Sequence, residues 1–98
     1  MAKLEQNYES IVIFSTKLGE EGIKAAVEKF TAMISKNAQM ESVDEWGKRR
    51  LAYAINYETE GYYVMFTFKS APSFPAELDR VYKITDGVMR SMIIAKED

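Results

Sequence analysis

Tyr62-Tyr63-Val64-Met65-Phe66-Thr67-Phe68-Lys69 carries aromatic, β-branched or methionine side chains at both even and odd positions. Side chains alternate along a strand, so a run that is apolar in both phases predicts a strand covered on two sides, in the middle of a sheet. Tyr8-Glu9-Ser10-Ile11-Val12-Ile13-Phe14-Ser15 has the same two-sided character and reads as a second central strand. Just before Tyr62, the polar run Glu58-Thr59-Glu60-Gly61 reads as a turn. From Gln39 to Asn56 the chain looks extended, with an apolar phase that slips between Trp46 and the series Leu51, Tyr53, Ile55. Gly47 is the expected bulge that resets it.

Between the first strand and Gln39 the period changes. Ile23, Ala26, Val27, Phe30, Met33 and Ile34 recur at i, i+3, i+4 spacing with charges between them, which predicts an amphipathic helix over about 18–37. Glu20 and Glu21 fall in its first turn and Lys36 in its last, as the helix dipole favours. After Lys69, Ala71-Pro72-Ser73 breaks the strand. Ser73 is the expected N-cap of a second helix whose buried stripe is Leu78, Val81, Tyr82 and Ile84. Asp86-Gly87 ends it, Val88 to Ala95 forms the last strand, and Lys96-Glu97-Asp98 is a polar tail.

The order strand, helix, strand, strand, helix, strand predicts an α+β, ferredoxin-like fold filling residues 1–98 as one domain. Right-handed crossovers put both helices on one face of a four-stranded antiparallel sheet, with the first and third strands in the middle. The two-sided apolar strands fall at those central positions. Two helices cover one face only, so the other should present a partly apolar platform for bases or for another protein. The plainer reading is a small twisted sheet with a few exposed aromatics.

Composition narrows the function. The chain has no cysteine and no histidine, so it lacks a disulfide framework, a thiolate metal site and the usual acid–base side chain near neutral pH. Its first residues lack a signal-peptide core and no segment approaches a membrane span, which makes a cytoplasmic protein the default expectation. The net charge is −2 and the pI about 5.2, the wrong sign for binding nucleic acid by bulk charge. Contact with nucleic acid must then be local, or shared with a basic partner.

Glu45-Trp46-Gly47-Lys48-Arg49-Arg50-Leu51-Ala52-Tyr53-Ala54-Ile55 is the candidate for such a contact. Lys48 and Arg50 share one face, and Arg49 shares the other with Leu51, Tyr53 and Ile55. Three cations on an edge strand serve solubility in the plainer reading. Arginine beside Trp46 and Tyr53 also combines phosphate-binding forks with stacking planes, as RNA contacts do. Arg90, early in the other edge strand, has the same two readings. An RNA-recognition motif would need a small residue between paired aromatics on its third strand, whereas Tyr62 and Tyr63 are adjacent and face opposite ways. Glu41, Asp44 and Glu45 form an acidic cluster better read as edge protection than as a metal site. Without His, Cys or a phosphate-binding glycine loop, no enzyme is expected.

Four blocks resemble the bacterial family of the small-subunit ribosomal protein numbered six: Tyr8-Glu9; Glu45-Trp46-Gly47-Lys48-Arg49-Arg50-Leu51-Ala52-Tyr53-Ala54-Ile55-Asn56; Gly61-Tyr62-Tyr63-Val64; and Thr85-Asp86-Gly87-Val88-Met89-Arg90-Ser91-Met92. They stand in family order and spacing over nearly the whole chain. The resemblance implies a structural component without cofactor that binds the central domain of 16S ribosomal RNA together with the small-subunit ribosomal protein numbered eighteen. It implies RNA-binding roles for Lys48, Arg49, Arg50 and Arg90, with Trp46 and Tyr53 as partner or stacking residues. Members often carry proline at the position of Ala54, where an edge strand tolerates it. A second class of reading is a homo-oligomeric small-molecule-binding module whose open sheet faces pair around a ligand.

Overall fold

The computed structural model describes residues 5–55 and 58–96. Asn56, read as strand, and the tail residues Glu97 and Asp98 lie outside it. The elements are β1 (Gln6–Ser15), a 3₁₀ turn (Thr16–Leu18), α1 (Gly19–Asn37), β2 (Gln39–Ile55), β3 (Glu58–Ser70), α2 (Phe74–Ile84) and β4 (Val88–Ala95). The strands pair antiparallel in the order β2-β3-β1-β4, so the two strands that are apolar in both phases are the central ones, as predicted.

Val12 and Phe14 of β1 lie opposite Val64 and Tyr62 of β3, and with Phe66 and Phe68 they form the helix-facing side of the sheet. Ile23, Val27, Phe30 and Ile34 of α1 and Phe74, Leu78 and Tyr82 of α2 bury their side chains against it. Phe30 joins the layers: its ring lies 4.6 Å from Tyr82 and 6.1 Å from Phe14. The Tyr82 phenol is buried with its oxygen 2.9 Å from Ser10 Oγ, so each hydroxyl satisfies the other inside the core.

Three local readings are corrected. Glu58 to Gly61 are strand, not turn, because β2 runs long enough to pair with them: Ile55 lies opposite Glu58, Arg50 opposite Glu60 and Arg49 opposite Gly61. Ser15 Oγ donates to Glu58 Oε1 at 2.6 Å, pinning this extension to the end of β1. Ser73 does not cap α2 with its side chain, and its backbone is already helical. The donor it would serve two residues on is missing, since Pro75 has no N–H, and the Phe74 N–H bonds to the Ala71 carbonyl at 3.1 Å. Ile84 is 68% exposed, because the stripe through Leu78 and Val81 continues to Thr85, whose Oγ1 donates to the Val81 carbonyl.

Burial first, and the negative charge of Asp79 after it, push the Tyr82 phenol well above its ordinary value of 10.0, while the Ser10 hydrogen bond acts in the opposite direction. A raised pKa favours the neutral form, so the contribution to stability is whole below pH 10.0 and is lost as pH rises beyond it. Tyr82→Phe strands the buried Ser10 hydroxyl and should cost about 1–2 kcal/mol at neutral pH. Urea unfolding followed by circular dichroism should show the gap between wild type and variant closing above about pH 10; a gap independent of pH would contradict the assignment.

Candidate nucleic-acid interface

The open face of the sheet carries the alternate residues of each strand. Ile11 and Ile13 of β1 lie opposite Met65 and Tyr63 of β3 on one side and opposite Met92 and Arg90 of β4 on the other. Met92 is 49% and Ile94 45% exposed. The predicted apolar platform is present, and its floor is aliphatic and methionine-rich with Tyr63 at one end.

β2 reaches this face through its irregularities. Between Glu45, opposite Val64, and Gly47, opposite Tyr63, the register gains one residue, Trp46. Gly47 holds φ +86°, a conformation other residues adopt at a cost, and so supports the bulge expected there. The bulge puts Trp46 in the same phase as Arg49. The indole stacks on Tyr63 with centroids 6.1 Å apart and planes 14° apart, and the Arg49 guanidinium carbon lies 5.8 Å from the Trp46 ring centroid. Arg49, Trp46 and Tyr63 thus form a laminated group on the open face.

The other two cations of the triplet turn toward the helix side, as the alternation predicts. Lys48 lies opposite Tyr62 and Arg50 opposite Glu60. Lys48 lines a groove between β2 and the start of α1, together with Gly19, Lys24, Glu45 and Tyr62. Tyr62 donates to Glu45 Oε1 at 2.9 Å. Burial first, then this hydrogen bond and the carboxylate charge, raises the Tyr62 phenol above its ordinary value.

Beyond Arg50 the ladder breaks again: Leu51 to Ala54 stand opposite Thr59 alone. Leu51 is buried, and its Cδ2 would lie 3.5 Å from a Cβ on Gly61, while Ile13 Cγ2 would collide with that carbon. Gly61 therefore leaves the space that the Ile13 side chain occupies, with Leu51 packed beside it at ordinary contact distance. Tyr53, 62% exposed, accepts a hydrogen bond from Arg90 Nη1 at 2.7 Å. Arg90 and Tyr53 belong to opposite edge strands, and the structure pairs Tyr53 with Arg90 while Trp46 takes Arg49.

The acidic cluster is dispersed. A second bulge sets Glu41 between Met40 and Ser42, Asp44 accepts from Trp46 Nε1 at 3.0 Å, and Glu45 faces the helix side. Among the described residues no group of three or more His, Cys, Asp or Glu could hold a metal ion. Tyr62 and Tyr63 face opposite ways, which removes the paired stacking platform of an RNA-recognition motif. Tyr63, Leu51, Met65, Met92 and Ile94 were not singled out from sequence as site residues. The alternation in β1 and β3 held the signal for the central positions.

The model of the family described as ribosomal protein S6 matches residues 7–95. The chain is 52% identical over 93 residues to the small ribosomal subunit protein bS6 of Clostridium novyi, covering 94% of this chain and 98% of that protein. It is 45% identical over 94 residues to the bS6 protein of Caldanaerobacter subterraneus, covering 95% and 99%. The crystal structure of 30S ribosomal protein S6 from Thermotoga maritima superposes with a TM-score of 0.89 at 26% identity, covering 94% of this chain and 88% of that one.

Because a Cβ on Gly47 meets no atom within 4 Å, Gly47→Ala tests the backbone strain alone. It should cost about 1–2 kcal/mol and loosen the stack of Trp46, the only tryptophan. Chemical denaturation gives the first quantity. A shift in tryptophan emission of the folded protein gives the second, and unchanged emission would argue against the bulge as the device that aims Trp46.

Proposed function

Since the chain belongs to the ribosomal protein S6 family and is a structural constituent of the small ribosomal subunit rather than an enzyme, we propose that its open sheet face and β2 edge bind the central domain of 16S ribosomal RNA jointly with the basic small-subunit ribosomal protein numbered eighteen. The carrying observation is the clustering of Arg49 on Trp46 and Tyr63, and of Arg90 on Tyr53, around an apolar floor in a chain whose net charge is −2. The Arg49 guanidinium, held against the Trp46 ring, keeps its outer N–H donors for phosphate, and Arg90 keeps those that it does not give to the Tyr53 hydroxyl. Lys48 and Arg50, on the same strand but the opposite face, extend the basic surface around the β2 edge. The floor of Ile11, Met65, Met92 and Ile94 offers the partner an apolar contact, and the whole chain acts as one domain.

Charge sets the order of events. Four local cations give a salt slope of only about −3 on single-stranded RNA, at roughly −0.7 per phosphate, and the net charge opposes approach. The isolated chain is therefore a weak RNA ligand. A basic partner seated on the open face supplies the missing field and completes the shared surface.

Filter binding at fixed salt should show tight association with the central-domain RNA only when the partner is present. Tight binding by the chain alone would overturn the joint mechanism. Replacing Lys48, Arg49 and Arg50 together by alanine should weaken ternary assembly by about tenfold or more and flatten the salt slope by about 2, with the thermal midpoint little changed. Assembly at wild-type strength at every salt concentration would show that these cations are not RNA contacts.

A further inference from the structure

The two edges of the sheet are protected to different degrees. β2 carries Glu41, Asp44, Glu45, Lys48, Arg49 and Arg50 and has its register broken at three places, devices that discourage another strand from adding. β4 reads Val88-Met89-Arg90-Ser91-Met92-Ile93-Ile94-Ala95, with one charge and no proline or glycine.

Its outward main-chain groups follow from the ladder with β1. The Lys96 N–H bonds to the Asn7 carbonyl at 2.8 Å. With Ala95 opposite Tyr8, that makes Lys96 and Asn7 a hydrogen-bonded pair. Such pairs alternate along an antiparallel ladder, so Ile94 and Met92 also turn their main-chain groups to β1. Ser91, Ile93 and Ala95 turn theirs to the outer edge.

From this arrangement we propose that free copies of this chain pair through β4, antiparallel about a two-fold axis at Met92. In that register Ser91 of each copy lies opposite Ile93 of the other, so outward N–H and C=O groups meet their complements. Met92 faces Met92 at the axis and Arg90 faces Ile94, with no like charges opposed. Moving the axis to Ile93 sets Arg90 against Lys96, a like-charge juxtaposition that sheets avoid. Self-pairing also covers part of the exposed Met92 and Ile94 side chains. The β2 edge, with its charges and bulges, offers no equivalent. The occupant is thus a second copy, identified by the fit of β4 to itself. The proposal rests on edge geometry and is independent of the RNA reading.

So short a ladder makes a small interface, which places the dimer among weak, transient assemblies. Sedimentation velocity of the full chain over a concentration series into the millimolar range should show monomer and dimer exchanging by mass action. Amide exchange at Ser91 and Ile93 should slow as concentration rises. Ser91→Pro removes an outward donor and leaves the β1 ladder intact, as edge strands allow, and Met92→Lys opposes two cations at the axis. Each should weaken the dimer by about tenfold or more. A wild-type chain monomeric throughout would overturn the proposal. So would concentration-independent exchange at Ser91 and Ile93, or a folded Ser91→Pro variant that dimerises like wild type while Met92→Lys does not, which would place the contact on the open face.

Discussion

The contact of Phe30 with Tyr82 and Phe14 ties one residue from each helix to a central strand, and the rest of the architecture depends on it. With both helices drawn to one point on one side of the sheet, no element among the described residues is left to cover the other. The alternation that builds the core from Val12, Phe14, Val64, Phe66 and Phe68 also sends Ile11, Ile13, Tyr63 and Met65 outward. Core and open surface are therefore two products of the same strands. A sequence cannot strengthen one by shifting register without exchanging it for the other.

β2 turns that bare face into a surface with chemistry. A regular strand would have set Trp46 in phase with Lys48 and away from Arg49. The inserted residue at the Gly47 bulge moves the indole to the cation with which it stacks. The triplet is then divided: one arginine is held against aromatic rings, while a lysine and a second arginine flank the strand on its helix side. This distribution suits a surface that meets an extended polyanion along an edge and a protein across its face. It also answers how an acidic chain can belong to a ribonucleoprotein: Lys48, Arg49 and Arg50 stand consecutively on one edge strand, so a locally basic stretch coexists with a net charge of −2.

Much of this was legible in the sequence because it is written in period. Two-sided apolar runs marked β1 and β3 as central, the change to i, i+3, i+4 spacing marked α1, and the phase slip around Gly47 marked the bulge. What was not legible depends on partners distant in sequence. The turn propensity of Glu58 to Gly61 loses to pairing with β2 and to the Ser15 hydrogen bond from β1. Ser73 loses its capping role because its own backbone is already helical, the first turn being entered through the Phe74 N–H bond to Ala71. The placement of Ile13 needs the missing side chain of Gly61 on the neighbouring strand, and the pairing of Tyr53 with Arg90 spans 37 residues. The residue types of the site could be read, but the matching of each cation to its ring could not.

That Tyr53–Arg90 hydrogen bond runs between the two edge strands, above the central pair. It acts as a clasp across the sheet. A phosphate that takes the Arg90 Nη1 donor at one margin competes with the phenol, and loss of that bond removes a tie on Tyr53 at the other margin. Occupancy of one edge and the freedom of the other are therefore linked free energies, and the linkage acts equally in both directions. A side chain that looks like an isolated surface contact thereby makes a rigid sheet responsive along its width.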